Sequence, residues 1–460
     1  MQTLGKGANR TLRISPEQKV RYMQITMSFS TRKILIFRIF AVVMNYNTHT
    51  LSCGLRIIHL PSASPVVYCG YRINAGTRHE QKEQEGLAHF CEHMSFKGTS
   101  HRRAWHILNS LESVGGDINA FTNKEDTVYY AAILKEHIPR AIDLLTDIVF
   151  NSIYPQNEID KEVEVICDEI ESYNDSPAEL IYDEIENAIF KGHPLGHNIL
   201  GEANRVRLYT TADARRFTER YYRPDNMVFF AYGDIDFERL LKLLSRALDD
   251  TAFAASVTAA SNNSAGQNAA PSGLDAYAPR KIVRHMQTHQ AHVMLGNRAY
   301  DIHHPLRIPL YLLNNILGGP GMNARLNLAL REHHGLVYTA ESSMVNYSDT
   351  GIWSIYFGCD EHDINRCLRI VRKELDKVIG KTLTAHQLSA AKKQLKGQIG
   401  VACDNRENFA LDFSKAYLHY GWERDVTSLY THIDNVTAEQ LQQVAQELMT
   451  EDRLTTLIFK

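Results

Sequence analysis

The feature that most restricts how this chain can fold is that its second half repeats its first at a nearly constant offset. Residues 293–299 (VMLGNRA) match residues 67–73 (VYCGYRI). In the same way, Tyr-Ser-Asp-Thr at 347–350 and the strand-like residues after it match Lys-Glu-Asp-Thr at 124–127 and its following strand. Matches of this kind indicate a duplicated domain, in which each copy builds its own sheet and core.

The two copies are separated by residues 251–279, which consist mainly of Ala, Ser, Asn and Gly and are typical of a linker. We therefore expect a first domain over residues 44–250 and a homologous second domain over residues 280–460. A length of 460 residues is sufficient for two domains of ordinary size. Residues 1–43 are predicted to form a poorly ordered extension, with Met44 as an alternative start of the folded chain.

Residues 33–44 (KILIFRIFAVVM) are apolar, but Arg38 interrupts them and they are too short to span a bilayer. They could belong to a signal sequence, although no small-residue cleavage site follows them. The seven cysteines are scattered, odd in number and never spaced as CxxC, which fits a reducing compartment. The sequence thus favours a cytoplasmic protein, or a periplasmic one if residues 33–44 are a signal sequence.

The composition is that of a globular protein, with 44% hydrophobic and 22% charged residues. The formal net charge of −3 provides no basic surface for nucleic acid.

Strand-like and helical segments occur in mixed order, which predicts two tandem α+β domains, each with a mixed, mostly antiparallel sheet packed with helices. Residues 51–60 and 64–75 read as two strands paired with each other across Pro61.

Residues 86–94 (GLAHFCEHM) carry the chemistry. His89 and His93 lie one helical turn apart, so both can bind one Zn²⁺ through a ring nitrogen. Glu92 lies beside them and can accept a proton from a metal-bound water. A catalytic zinc site also needs a third protein ligand. On its own the motif could instead be a solvated helix face.

The best source of the third ligand is residues 162–170 (EVEVICDEI). Glu162 and Glu169 lie about two turns apart on a predicted helix and project together. Acidic helices usually face solvent, so these two residues carry no argument alone.

The HxxEH motif followed by ExxxxxxE resembles the pitrilysin, or insulinase, family of zinc peptidases, which includes insulin-degrading enzyme and the catalytic subunit of mitochondrial processing peptidase. The likeness extends from about residue 47 to the C-terminus and includes HPLGH at 193–197 and YRPDNM at 222–227. It implies that His89, His93 and Glu169 bind one zinc ion per chain. It also implies that Glu92 is the general base and Glu162 a supporting acidic residue.

The resemblance assigns further residues to the substrate. Residues 115–122 (GGDINAFT) look like the family's edge strand, so the substrate would bind along Asn119, Ala120, Phe121 and Thr122. In the second copy, Arg331 and Tyr338 match an Arg and a Tyr that reach from the C-terminal domain toward the substrate. The alternative is that Arg331 caps a helix and Tyr338 packs. Asparagines stand where the first copy has its histidine helix, so the second domain is expected to lack a zinc site.

The function implied is a zinc-dependent metalloendopeptidase that hydrolyses extended peptides or unfolded segments. Relatives with four such domains enclose a chamber, so a chain with two implies a homodimer or a heterodimer with a related subunit. Neither nucleic acid nor a membrane is expected as a partner. The alternative is a non-catalytic peptide-binding or scaffolding subunit, but such subunits typically lose zinc ligands that are all present here.

Overall fold

The computed structural model describes residues 45–249, 251, 277–286 and 288–460. The predicted extension over residues 1–43 and most of the predicted linker lie outside these described residues. Within the described ranges, we find no helix that combines the length and apolar character needed to cross a bilayer.

Two β-sheets organise the described chain. The first sheet has the strand order β1-β2-β6-β3-β5-β4 and the second has the order β7-β11-β8-β10-β9. The strands are β1 (Asn47–Thr50), β2 (Arg56–Pro61), β3 (Val66–Ile73), β4 (Asp117–Thr122), β5 (Thr127–Leu134), β6 (Met227–Gly233), β7 (Lys281–Arg284), β8 (Ala291–Ala299), β9 (Val337–Asn346), β10 (Gly351–Cys359) and β11 (Thr455–Phe459).

Helices connect these strands and cover the sheets. Those of the first half are α1 (Leu87–Ser95), α2 (Ala104–Glu112), α3 (Ile138–Phe150), α4 (Gln156–Asn174), α5 (Pro177–Ile189), α6 (Ala203–Val206), α7 (Thr211–Tyr221) and α8 (Phe237–Asp249). Those of the second half are α9 (Arg307–Gly318), α10 (Arg325–Asn327), α11 (Ile364–Gly380), α12 (Ala385–Ala402), α13 (Arg406–Tyr420), α14 (Val426–Asn435) and α15 (Ala438–Leu448).

The two sheets have the same topology, which confirms the prediction of two tandem α+β domains. Without β1, the order β2-β6-β3-β5-β4 corresponds strand by strand to β7-β11-β8-β10-β9. In each sheet the first two strands of that order are parallel and the remaining pairs are antiparallel. The sheets are therefore mixed and mostly antiparallel, as expected.

The predicted pairing of residues 51–60 with residues 64–75 is wrong. Strand β6 lies between β2 and β3, parallel to the former and antiparallel to the latter. The sequence of β6, MVFFAYG, is almost continuously apolar and nearly all of it is buried. Such a strand is stable when it has neighbours on both sides and covered faces, so it takes a central position.

The predicted equivalence of Asp126 with Asp349 is displaced by one position. The β4–β5 turn closes with a hydrogen bond from the Asn123 amide to the Asp126 carbonyl, and the β9–β10 turn closes from Tyr347 to Thr350. This geometry makes Glu125, rather than Asp126, the counterpart of Asp349. The sequence comparison paired the two Asp-Thr dipeptides because their residues are identical. In the structure, the two turns correspond through the hydrogen bonds that close them, which shifts the pairing by one residue.

Each half contributes a helix to the other half's sheet. Helix α13 of the second half packs on β3 and β6 of the first, where the ring centroids of Phe413 and Phe230 lie 6.4 Å apart. Helix α5 of the first half packs on β8 and β11 of the second. There Ile181 and Ile185 share an apolar cluster with Met294. Because both sheets need this cover, the halves form one packed unit.

A buried charge cluster fixes α13 to the first sheet. Asp126 is fully buried and accepts hydrogen bonds from Arg72 Nη1 at 2.5 Å and from His419 Nε2 at 2.8 Å. Arg72 also donates to Ser414 Oγ and to the Leu411 carbonyl of α13. Burial opposes ionisation of Asp126, but Arg72 and His419 outweigh it and hold the pKa of Asp126 far below its usual range.

We predict that Asp126→Asn lowers the free energy of unfolding by ~3 kcal/mol, because it leaves Arg72 buried without its counter-charge. The depressed pKa means that the Asp126 contribution is present above about pH 4 and is lost as the pH falls toward the folded-state pKa. Urea unfolding at several pH values measures both effects. The matched control is Asp234→Asn, in an exposed pair with Lys135, which should leave the curve nearly unchanged. Equal stability of the wild type and Asp126→Asn at pH 7 would contradict the assignment.

Candidate metal centre

The predicted metal helix, α1, is held at its N-terminus by a buried carboxylate. Glu80 accepts hydrogen bonds from the amides of Gly86 at 3.0 Å and Ala88 at 2.7 Å, and its Oε2 lies 2.9 Å from His197 Nε2. Gly86 has φ +92°, and a Cβ there would lie 2.6 Å from the Leu200 carbonyl oxygen. A negative charge at a helix N-terminus and a glycine where only glycine fits together fix the start of α1.

Three predicted ligands converge on one point. His89 and His93 project from the same side of α1, and Glu169 approaches from α4. Glu169 Oε2 lies 3.9 Å from His89 Nε2 and 3.4 Å from His93 Nε2. One possible ligand atom from each of these residues lies within 4.8 Å of the other two. The structure therefore brings together the residues that were proposed to bind zinc.

The two histidines differ in protonation. Burial lowers the pKa of His89 to about 4, so its ring is neutral near pH 7 and offers a lone pair. Burial also opposes the charge of His93, but hydrogen bonds to Glu162 and Glu169 outweigh it and raise the pKa of His93 to about 9. A metal would therefore compete with a proton for His93.

A second carboxylate orients His93. Glu162 Oε1 lies 3.1 Å from His93 Nδ1, and Lys97 Nζ lies 2.5 Å from Glu162 Oε2. Burial opposes ionisation of Glu162, but its bonds to His93 and Lys97 lower its pKa. A carboxylate behind a ligating histidine fixes the ring and makes it a better ligand. This position agrees with the supporting role expected for Glu162.

Glu92, the predicted general base, lies on α1 between the two histidines and is 8% exposed. Its Oε2 accepts a hydrogen bond of 2.7 Å from Thr122 Oγ1. Burial raises the pKa of Glu92, and the Thr122 bond opposes that shift. A carboxylate of raised basicity beside a metal cluster is suited to accepting a proton.

The predicted substrate strand is an edge strand. Among the described residues, strand β4 pairs with β5 alone and ends the sheet. Asn119 is exposed, and Ala120 and Phe121 are partly buried. Thr122 is buried with its hydroxyl directed to Glu92, so its side chain differs in role from the other three.

Arg331 and Tyr338 do not join the metal cluster. They line a cavity of about 620 Å³ whose lining residues, among those described, all belong to the second half. Tyr338 is 80% exposed, and the Arg331 guanidinium carbon lies 5.4 Å from the centroid of its ring. Asn314, on the helix equivalent to α1, also lines this cavity and accepts a hydrogen bond from Ser342 Oγ. The roles proposed for Arg331 and Tyr338 remain predictions.

The donor set fits zinc. Two imidazole nitrogens and one carboxylate oxygen match the ligands of catalytic zinc sites that keep a position open for water. The neutral His89 and the ionised Glu169, whose pKa is lowered first by its hydrogen bond to His93, are in their ligating forms. A second group in the described chain, Asp360, His362 and Asp363, lies near the surface at the start of α11, and no orienting carboxylate comparable to Glu162 bonds its histidine.

Family models match both halves of the chain. Residues 57–203 match the insulinase model, peptidase family M16, and residues 209–395 match the model described as the peptidase M16 inactive domain. The metal cluster and Glu92 lie entirely within the first match.

Related proteins and structures agree with these matches. A zinc protease of Bacillus subtilis is 31% identical over 414 residues, which cover 89% of this chain and 97% of the relative. A zinc protease of Streptomyces coelicolor is 31% identical over 87% of this chain and 86% of its own. A protease from Helicobacter pylori has a similar fold, with a TM-score of 0.81 and 20% identity over 91% of this chain and 99% of that one.

Sequence reasoning missed the residues that support the ligands. Glu80 and His197 fix the start of α1, and Lys97 holds Glu162. The sequence did point to His197, because it lies in the HPLGH segment, one of the motifs that resemble the family. Lys97 lies just beyond the end of α1 at Ser95, so helical spacing did not predict its contact with Glu162.

Proposed function

This chain belongs to the insulinase family of peptidases, family M16, and from that premise we propose that it is a zinc-dependent metalloendopeptidase acting on extended peptides. The observation that carries the proposal is the convergence of His89, His93 and Glu169, with Glu92 between the two histidines on one helix turn. The non-catalytic alternative is less well supported, because a scaffolding subunit has no need of either an intact ligand set or a buried, basic Glu92.

Each residue of the site has a separate role in the proposed reaction. His89, His93 and Glu169 would hold one zinc ion, which when bound supplies Lewis acidity to a water molecule and to the substrate carbonyl. Glu92 accepts a proton from the attacking water and returns it to the leaving amine nitrogen. Glu162 keeps the His93 ring oriented throughout, through its contact with Nδ1.

The edge strand β4 supports a preference for extended substrates. A peptide added beside residues 119–121 would complete the unpaired edge of the first sheet with main-chain hydrogen bonds. A folded protein rarely offers a free strand, so unfolded segments and peptides are the substrate class that fits.

We predict that Glu92→Gln leaves zinc bound but reduces peptide hydrolysis by at least ~100-fold, because the amide cannot accept a proton. Glu169→Gln should instead lower both zinc content and activity, since it removes a charged ligand. Zinc content is measured by atomic absorption, and hydrolysis with a fluorogenic unstructured peptide. Equal zinc loss in both variants would mean that the two roles are wrongly assigned.

We further propose that the working form is a dimer, either of two copies or with a related subunit. Tyr338 is highly exposed and, with Arg331 against its ring, lines a cavity, which suits both residues to contact a substrate presented from outside the second half. Because the exchanged helices α5 and α13 join the two halves, closure within one chain would have to break a buried interface. A Tyr hydroxyl and an Arg could then stabilise the developing oxyanion of a substrate bound to the other subunit.

Tyr338→Phe is predicted to lower kcat on the order of 100-fold without loss of zinc, because it removes one oxyanion donor. Co-expression of Tyr338→Phe chains with Glu92→Gln chains tests where Tyr338 acts. Activity well above that of either variant alone would indicate that Tyr338 serves a second subunit. No recovery would indicate action within one chain, and full activity of Tyr338→Phe alone would exclude the role.

A further inference from the structure

Thr122 is the last residue of β4, and its hydroxyl donates a hydrogen bond to the carboxylate of Glu92. The Oγ1–Oε2 distance is 2.7 Å, and both residues are 8% exposed. Within the described part of the chain, this is the single side-chain hydrogen bond that Glu92 receives. A buried carboxylate held at one oxygen has a defined rotamer and a free second oxygen.

The turn that follows Thr122 is buried although its residues are charged. Lys124, Glu125 and Asp126 are 4%, 5% and 0% exposed. Charged residues in a hairpin turn normally face solvent, and burying them is costly unless each is paired. The turn therefore depends on partners elsewhere in the chain in addition to its own closing hydrogen bond.

Those partners come from three directions. Lys124 Nζ donates to the carbonyl of His197, the residue that contacts Glu80 at the start of α1. Asp126 accepts from His419 of α13.

Glu125 faces the equivalent turn of the second half. It accepts hydrogen bonds from the amide of Ser348 at 3.2 Å and from its hydroxyl at 2.7 Å. Arg78 bridges the two turns, because it contacts both Glu125 and Asp349. Ser348 and His419 of the second half thus hold the turn together with Arg72, Arg78 and the His197 carbonyl of the first half.

We propose that Thr122 is a positioning residue for the general base, and that the second half holds it in place through the buried turn over residues 123–126. The inference rests on the proposed function of Glu92. It gives Thr122 a different role from Asn119, Ala120 and Phe121, which lie on the same edge strand but are less buried. It also gives the second half a part in catalysis that does not depend on Arg331 or Tyr338.

The test compares Thr122→Val, which keeps the shape but loses the hydroxyl, with Thr122→Ser, which keeps the hydroxyl. The matched control is Thr146→Val, a buried threonine whose hydroxyl bonds that of Tyr71 at 2.8 Å. Thr122→Val should lower kcat on the order of 10-fold with KM and zinc content unchanged, because the base loses its orientation. Thr122→Ser should retain most of the kcat, and Thr146→Val should change stability but not kcat.

A structural measurement makes the inference independent of activity. In crystal structures of the zinc-loaded proteins, Glu92 should keep one rotamer in the wild type and in Thr122→Ser, and should move or occupy several rotamers in Thr122→Val. An unmoved Glu92 in Thr122→Val, or an equal loss of kcat in both Thr122 variants, would overturn the proposal. An inactive wild type with the expected Glu92 rotamers would contradict the proposed function while supporting the positioning role.

Discussion

Burial of the polar side of α1 is the constraint on which the rest of the site depends. His89 and Glu92 are both nearly buried, although a helix in water would expose such residues. Removing ionisable groups from water costs several kcal/mol unless partners compensate. For Glu92 the hydroxyl of Thr122 offsets part of that cost, and Glu162 does the same for His93, whereas His89 avoids it by staying neutral. The contacts of Glu162 with His93 and of Thr122 with Glu92 also fix the orientation of these two side chains.

The second half contributes to this site through packing as well as through the chemistry proposed for Arg331 and Tyr338. Its cavity carries Asn314 on the helix equivalent to α1, so the duplicated fold keeps the architecture without the metal ligands. What it contributes directly is α13 against the first sheet and the β9–β10 turn against the β4–β5 turn. The half that carries His89, His93 and Glu169 thus shares one buried interface with the second half.

The sequence was most informative where a short-range rule decides geometry. Helical spacing predicted that His89 and His93 share a side. The family resemblance placed the edge strand within residues 115–122, which contain β4. It was least informative where distant segments compete for the same place. Nothing local indicates that β6 enters between β2 and β3, that α5 and α13 cover each other's sheets, or that the hydroxyl of Thr122 faces Glu92. Those outcomes depend on which apolar surfaces pack against each other. The residue pattern within one segment does not indicate which distant segment it will contact.

We propose that a single zinc ion on His89, His93 and Glu169 supports peptide hydrolysis. The most direct measurement is to remove metal with a chelator, return zinc in known amounts and follow cleavage of an unstructured peptide. The account predicts no cleavage by the metal-free protein and a linear rise that saturates at about one zinc per chain. Cleavage that persists without metal, or none at any zinc content in a folded protein, would contradict it.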